Sequence, residues 1–459
     1  MPVNSQHKEY RKALKRWDLT RSVVDNDAKK FIRTVDASDI DRSNQYRDDA
    51  ILTNFTALTK VGLTGLVFRK EGTLELPQEL EYLKEDATGS SLSLDQLSQK
   101  VVGEVLETGR HGLLVDYPPT PEGLTKDQES EFSFGAHIKN YKAESIINWK
   151  TKTLGSKVAL CLVVLEECVD DIGEDGFEWV EKTQYRVLQL SKENLYIQSI
   201  YNEDLELVSV SMPLKADGTS FNYIPFTFIG AENNDCCVDN IPLYDLAVIN
   251  VGHYRNSADL EESAHLVGQP TITVATASST EELKAANPAG LRFGSRQALV
   301  FGEGSSISLL QANPNQLASQ MMLEKKDYAA ALGARLIAPA GGRETAEAAR
   351  IRFSSQNSAL YTLTTNVGEG IEDCLEFCCD FMGADKAGVE YELNDQFYDD
   401  AADPALIMQQ IQLFDRSLIT QEEVRETLRM TSVIDPDSND DGINAQAHLN
   451  NPLKGSNVI

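Results

Sequence analysis

Residues 345–383 contain no proline, and within them Leu360, Leu363, Val367, Ile371, Cys374, Cys378 and Phe381 recur at spacings of three and four. That spacing returns an apolar side chain to the same helical face at every turn. The stretch therefore predicts one long amphipathic helix, up to ~58 Å at about 1.5 Å per residue, with the stripe in a core. What precedes it constrains the fold further. Pro339, Ala340, Gly341 and Gly342 break a helical pattern over 315–336. Before that lies a compact β-rich stretch, with strands at 271–275, 298–301 and 307–310 around a short helix at 281–286. Another helix, 241–267, opens on Asn240 and Pro242, residues suited to a helix start, and stops at Gly268 and Pro270. Its first half is nearly all apolar and its second half polar, so one end should be packed and the other wet.

The N-terminal half reads differently. A mixed-charge helix extends to about Arg33, and Lys8, Arg11, Lys12, Lys15 and Arg16 make it the one clearly basic patch, either a solvated face or a contact for DNA or an acidic partner. A second helix is predicted over 46–66, with Ile51, Phe55, Leu58, Gly62 and Gly65 toward a core. Ser93 with Gln96 forms a capping box, Leu94, Leu97, Val101 and Val105 form a stripe, and Gly109 ends that helix before a strand at 113–117. From 136 to 228 the pattern is β, with strands at 157–169, 179–190, 195–200, 205–212 and 224–229, a mostly antiparallel sheet. A strand at 389–393 and helices at 404–416 and 421–430 precede a polar, mobile tail from Asp435. The fold class is α+β.

Composition limits function. The formal charge is −29, from 71 acids against 42 bases, with the acids crowded between Glu166 and Asp245. Nucleic-acid grip works through Lys and Arg displacing phosphate counterions, so tight binding over a broad surface is not expected; a solvated outer surface or the wall of a conduit is. The longest apolar run, 158–165, is far below the roughly 20 residues of a membrane span, so neither export nor membrane anchoring is implied. Seven scattered cysteines lack a C-x-x-C pattern, which fits reduced thiols in a cytosolic compartment.

Catalytic patterns are sparse. No G-x-x-x-x-G-K-[ST] occurs, so the chain cannot itself be an ATP-driven pump, and no G-x-S-x-G occurs. The histidines (His7, His111, His137, His253, His265, His448) never take a ligand spacing. Asp116, at a strand end, has the position of a nuclease carboxylate, but one such Asp is weak evidence, and a turn or cap role explains it better because no partners are designated. Asp437, Asn439, Asp441 and Gly442 open like a calcium loop, but His448 stands where a bidentate Glu is needed. No catalytic, metal or cofactor residue is assigned.

Several segments together resemble a branch of tailed-bacteriophage portal proteins long catalogued as a domain of unknown function. They are 67–70, the helix and strand over 92–117 with Thr108, Gly109, Arg110 and Gly112, then 144–149 and 224–230. Later come 253–270 (HYRNSADLEESAHLVGQP) and 341–352 (GGRETAEAARIR). The resemblance runs in order from about residue 40 to 430, departing mainly in the tail and the acidic β region. It implies a ring of about twelve subunits, through which the genome enters and leaves the capsid. The implied plan is a wing over 1–240, stem helices at 241–267 and 315–336, a clip at 268–314 and a tunnel loop at 337–344. The long helix and wing completion follow over 345–400, with crown and tail over 401–459.

The resemblance further implies a virion protein at the capsid vertex, found in host cytoplasm during assembly. Its partners would be copies of itself, the terminase large subunit, a head-tail adaptor, a major capsid or scaffolding protein, and double-stranded DNA passing without sequence specificity; no membrane is involved. Channel candidates are Pro339, Gly341, Gly342, Arg343, Lys325, Lys326 and Arg335, whose bases are sparse phosphate contacts or intersubunit salt bridges. Clip candidates for terminase or adaptor contact are Glu281, Glu282, Lys284, Arg292 and Arg296. An acidic bore would keep the duplex centred rather than hold it. The alternatives are another ring-forming connector or minor head protein, and a metal-dependent nuclease built on Asp116. The expectation is a protein that is not an enzyme.

Overall fold

The computed structural model describes residues 2–118, 135–172, 177, 179–268, 271–287, 300–310, 316–337, 358–395, 397, 408, 412–414 and 416. Two compact units are present, Met1–Leu393 and Asn394–Ile459. The first carries the elements named below. It begins with α1 (Lys8–Val24), α2 (Ile40–Asp48), α3 (Phe55–Val67), β1 (Thr73–Glu75), α4 (Leu94–Thr108), β2 (Arg110–Asp116), β3 (His137–Lys142) and β4 (Ile146–Leu154). Then come β5 (Lys157–Ile172), β6 (Trp179–Leu190), β7 (Tyr196–Tyr201), β8 (Leu207–Ser211) and β9 (Phe226–Gly230). The last third holds α5 (Tyr244–Gly268), β10 (Thr271–Ala275), α6 (Thr280–Ala286), β11 (Ser306–Leu310), α7 (Gln316–Ile337), α8 (Ser358–Met382) and β12 (Glu390–Glu392). Helices and antiparallel sheets share one unit, so the fold is α+β.

Helix α4 is central because its ends are fixed locally and its sides are apolar. Ser93 and Gln96 complete the capping box, and Gly109 closes the helix in the left-handed region at φ 70°. Leu94, Leu97, Val101, Val102 and Val105 are all buried. Against α4 lie α1, through Trp17 Nε1 donating to Thr108 O at 2.8 Å, and α8, whose predicted stripe is buried from Leu360 to Phe381. The described part of α8 is Ser358–Met382, and Gly383 follows at φ 75°; the expected helix start at 345 lies outside the described residues.

The β region forms two sheets rather than one. The run Leu113, Leu114 and Val115 makes β2 a strand buried on both faces, and it takes a neighbour on each edge, giving the order β3-β2-β9. Strands β4 to β8 form a separate five-stranded meander. The β1 and β12 strands pair with each other.

The helix expected over 46–66 is two helices. Asn54 caps α3 by accepting from Ala57 N, while its Nδ2 donates to Val23 O at 2.6 Å, and the intervening Ile51 N donates to Ser257 Oγ. These long-range partners outweigh helix continuation. Ile51 and Leu58 are 58% and 72% exposed, and Leu63 and Val67 occupy the core instead, so α3 turns a different face inward from the one expected.

His111, on β2, is fully buried, and among the described residues neither ring nitrogen has a hydrogen-bond partner. Burial pulls its pKa down to about 4 from 6.5. Between those values the unfolded chain binds a proton that the folded chain refuses, so stability falls as pH drops through that window. Burial lowers His7 and His253 as well, and they act in the same direction. Replacing His111 by leucine is expected to flatten the slope of unfolding free energy between pH 6.5 and 5 by up to ~1.4 kcal/mol per pH unit, one proton's worth. Urea titrations at several pH values check this; an unchanged slope contradicts it.

Candidate functional site

Helices α5 and α7 pack side by side and are bridged at one end by the β10/β11 hairpin with α6 between its strands. The inner side of α5 is apolar and buried: Ala247, Val251, Tyr254 and Ala258 join Val23, Ala28, Ile32 and Tyr46 of the N-terminal segment in one cluster, and Leu246 is buried as well. Asn250 interrupts that apolar run, fully buried, and is satisfied on both sides. Its Oδ1 accepts from Thr56 N and Oγ1 at 3.1 Å each, and its Nδ2 donates to Thr53 O at 2.8 Å. It fixes α3 to α5.

The polar half of α5 is held by charge. Asp259 Oδ1 accepts from Arg33 and from the Tyr46 hydroxyl, both at 2.7 Å, and Glu262 pairs with Arg42 at 2.9 Å. Arg255 Nε donates to Phe31 O at 2.8 Å. Such exposed pairs contribute little singly, ~0–1 kcal/mol each, so they orient the helix more than they stabilise it.

Lys325 joins the two helices. Its ammonium donates to Gly252 O at 3.1 Å and to Asn256 Oδ1 at 2.6 Å. Gly252 makes room for it, since a Cβ there would lie 3.3 Å from Lys325 Cε. Desolvation, reinforced by nearby Arg255, lowers the Lys325 pKa. Lys326, one residue on, is exposed and lines an open cleft of about 650 Å³ with His253, Gln316, Ser319, Gln320 and Leu323. His253 lies against Phe55, ring centroids 5.1 Å apart, and desolvation first, then Lys325 and Lys326, depress its pKa. A neutral imidazole is favoured there. Leu323 and Tyr328 of α7 are exposed as well.

The tip is locally organised. Thr271 pairs with Leu310 and Ala275 with Ser306, and the Thr273 and Ser308 hydroxyls are 2.7 Å apart. Ser279 and Glu282 form a capping box on α6, so Glu282 is committed to the helix, while Glu281 and Lys284 point to solvent. Asn287 bonds in both directions to Val300. Residues 300 and 301 carry no strand, unlike the expectation for 298–301; the rest of that stretch, with Arg292 and Arg296, lies outside the described residues. So do Pro339, Gly341, Gly342 and Arg343, the side chain of Arg335, the Asp437 turn, and most of the helices expected at 404–416 and 421–430.

Asp116 stands at the end of β2, where its carboxylate is 2.8 Å from Lys139 and 3.5 Å from Arg186. Among the described residues no group of three His, Cys, Asp or Glu could hold a metal ion, and no described helix is long and apolar enough to cross a membrane. Gly252, Asn250 and Asn256 were not singled out from the sequence. A lone Asn within an apolar helical run was the available signal for Asn250; nothing local marked the others.

A family model described as Domain of unknown function (DUF4055) matches residues 242–382, the span from the start of α5 to the end of α8. No curated protein matches. Among solved structures, a chain in the virion of a native gene transfer agent (GTA) particle is 14% identical, with 84% of this chain and 92% of that chain covered and a TM-score of 0.41. A chain in the neck of an empty GTA particle, computed with C6 symmetry, covers the same shares at 13% identity and TM-score 0.42. One in the neck of a native GTA particle, computed with C12 symmetry, is 14% identical over the same shares, also with a TM-score of 0.42.

Proposed function

We propose that this chain is the repeating subunit of a ring at the neck of a phage-type particle, and more specifically a portal protein, the conduit for packaging and ejecting a genome. One observation carries the reading: α5 and α7 run side by side from a small hairpin tip, locked by Lys325 on Gly252 and Asn256. A helix pair that buries one side and leaves apolar and charged side chains on the other is suited to repeat around an axis against further copies. The family match spans this pair, the tip and α8 together, which supports treating them as one unit.

The roles follow from charge and position. In a ring the net charge of −29 would surround DNA with a wall that repels phosphate, and few bases would remain to retain it. Lys326 is the exposed base on α7 available for transient phosphate contact, with Arg335 and Arg343 further along the chain. Glu281 and Lys284, exposed on α6, would meet the terminase or adaptor. The chain contributes structure rather than catalysis in this reading.

Sedimentation of the purified chain in physiological salt is expected to give a closed multi-copy species that does not retain linear duplex DNA. A monomer at all concentrations contradicts the ring. Magnesium- or manganese-dependent cleavage of plasmid, lost in Asp116→Ala, would favour a nuclease instead.

A further inference from the structure

The five-stranded meander has one part that is longer than its neighbours. β4 accompanies β5 only as far as Leu165, and β7 accompanies β6 only from Tyr185 on. Beyond those points β5 and β6 continue paired, from Glu166 opposite Tyr185 to Ile172 opposite Trp179. The result is a two-stranded ribbon ~24 Å long with no third strand on either edge among the described residues. Its root is fixed, because Glu167 accepts from Arg186 at 2.6 Å, from the Tyr141 hydroxyl at 2.6 Å and from Gln184 at 2.5 Å. Its outer half carries exposed apolar side chains. Val169, Trp179 and Val180 are exposed there, and Asp170 lies directly opposite Glu181. Two strands alone are marginal in water, and like charges facing each other weaken them further. A ribbon of this composition gains from a third strand.

The same sheet ends, on its far edge, in a strand with the converse need. Among the described residues β8 pairs with β7 alone, and all five of its residues are exposed. Leu207, Val208 and Val210 are each more than half exposed, and the strand Leu-Val-Ser-Val-Ser has no charge and no proline. Exposed edges usually carry such residues, which discourage pairing with another chain. Because β7 lies between β6 and β8, the free edge of β8 faces away from the ribbon of its own chain. The two surfaces can meet only between copies. Two different, complementary patches on one molecule give a head-to-tail contact, the kind that closes into rings.

We infer that the ribbon of one copy, the paired stretches Glu166–Ile172 and Trp179–Tyr185, adds to the edge of β8 in the next copy, extending its sheet by strand addition. Main-chain hydrogen bonds would supply the contact, Val169, Trp179 and Val180 would cover the apolar edge residues, and an uncharged β8 would not repel the ribbon's acids. This rests on the ring reading and specifies one of its contacts.

The test uses two variants of the full chain. In the first, residues 170–181 are replaced by Asn-Gly, joining Val169 to Lys182, which already face each other across the ribbon and can be closed by a two-residue turn. In the second, Val208→Asp and Val210→Asp put charge on the exposed edge. With melting temperatures checked against the parent, each variant alone is expected to need at least about tenfold higher concentration for half-assembly in sedimentation. Mixed, they should form a two-chain species absent from either alone, since one retains the edge and the other the ribbon. Variants that assemble like the parent, or a mixture that yields no pair, overturn this contact while leaving the ring intact. A parent chain that stays monomeric overturns both.

Discussion

Replacing Arg21 by methionine is expected to lower the unfolding free energy by about 3–5 kcal/mol, the range for stripping a buried charge network of its central partner. The Arg21 guanidinium donates to Glu104 at 2.5 Å, Glu107 at 2.6 Å and Glu144 at 2.8 Å, and Lys60 reaches the second oxygen of Glu107. Glu107 is only 2% exposed. Burial pulls the Arg21 pKa down, yet its bonds to Glu144 and Glu104 outweigh that and leave it raised; burial pushes Glu104 up, and Arg21 reverses it. Without the guanidinium, Glu107 keeps Lys60 while Glu104 and Glu144 lose their ion-pair partner, in a site joining α1, α3 and α4. Because Glu104 is depressed in the folded state, its contribution is present above the unfolded carboxylate range and is lost as pH falls through the folded value. The deficit of Arg21→Met relative to the parent should therefore shrink below about pH 4.5. Denaturant midpoints at pH 7 and pH 4 check both points; a loss under about 1 kcal/mol at neutral pH contradicts the network's importance.

Gly109→Ala is expected to cost about 3 kcal/mol or more, for two independent reasons. Its φ of 70° strains any residue with a side chain, by about 1–3 kcal/mol. An added Cβ would also sit 2.7 Å from Asn240 O and 3.1 Å from Asp239 O, both backbone atoms that cannot swing aside. Gly155, in the turn between β4 and β5, separates the two effects: its φ is 63° but nothing lies within 4 Å of a Cβ. Gly155→Ala should therefore lose only the strain, about 1 kcal/mol. Equal losses at the two positions in thermal melts would mean that the approach of the α5 lead-in to the α4 end is not tight. That approach matters for function because Leu243 N, just before α5, bonds to Leu106 O on α4, tying the helix pair to the core.

What the sequence made legible was whatever is settled within a few residues. The Ser93 and Gln96 capping box, the Gly109 stop, the α8 stripe and the two helices flanking a β-rich tip all follow from local chemistry and periodicity, and they stand where they were expected. Features decided by distant partners were not legible. The break before α3 depends on Asn54 reaching Val23 and on Ile51 meeting Ser257, and the division into two sheets depends on β2 finding β9 more than a hundred residues later. Of the candidate channel residues, Lys326 is exposed on α7, whereas Lys325, identical in type and adjacent, turns inward to Gly252 because the helix rotates it toward α5. Helical spacing indicates which residues share a face; it does not say which face meets another helix.

Imaging of the purified full-length chain by negative-stain electron microscopy tests most directly whether the α5/α7 pair is built for repetition. Class averages should show closed rings of about twelve copies around a central opening, with the hairpin tips gathered at one end. Particles the size of one chain, or assemblies in which the helix pairs do not encircle an opening, would contradict it.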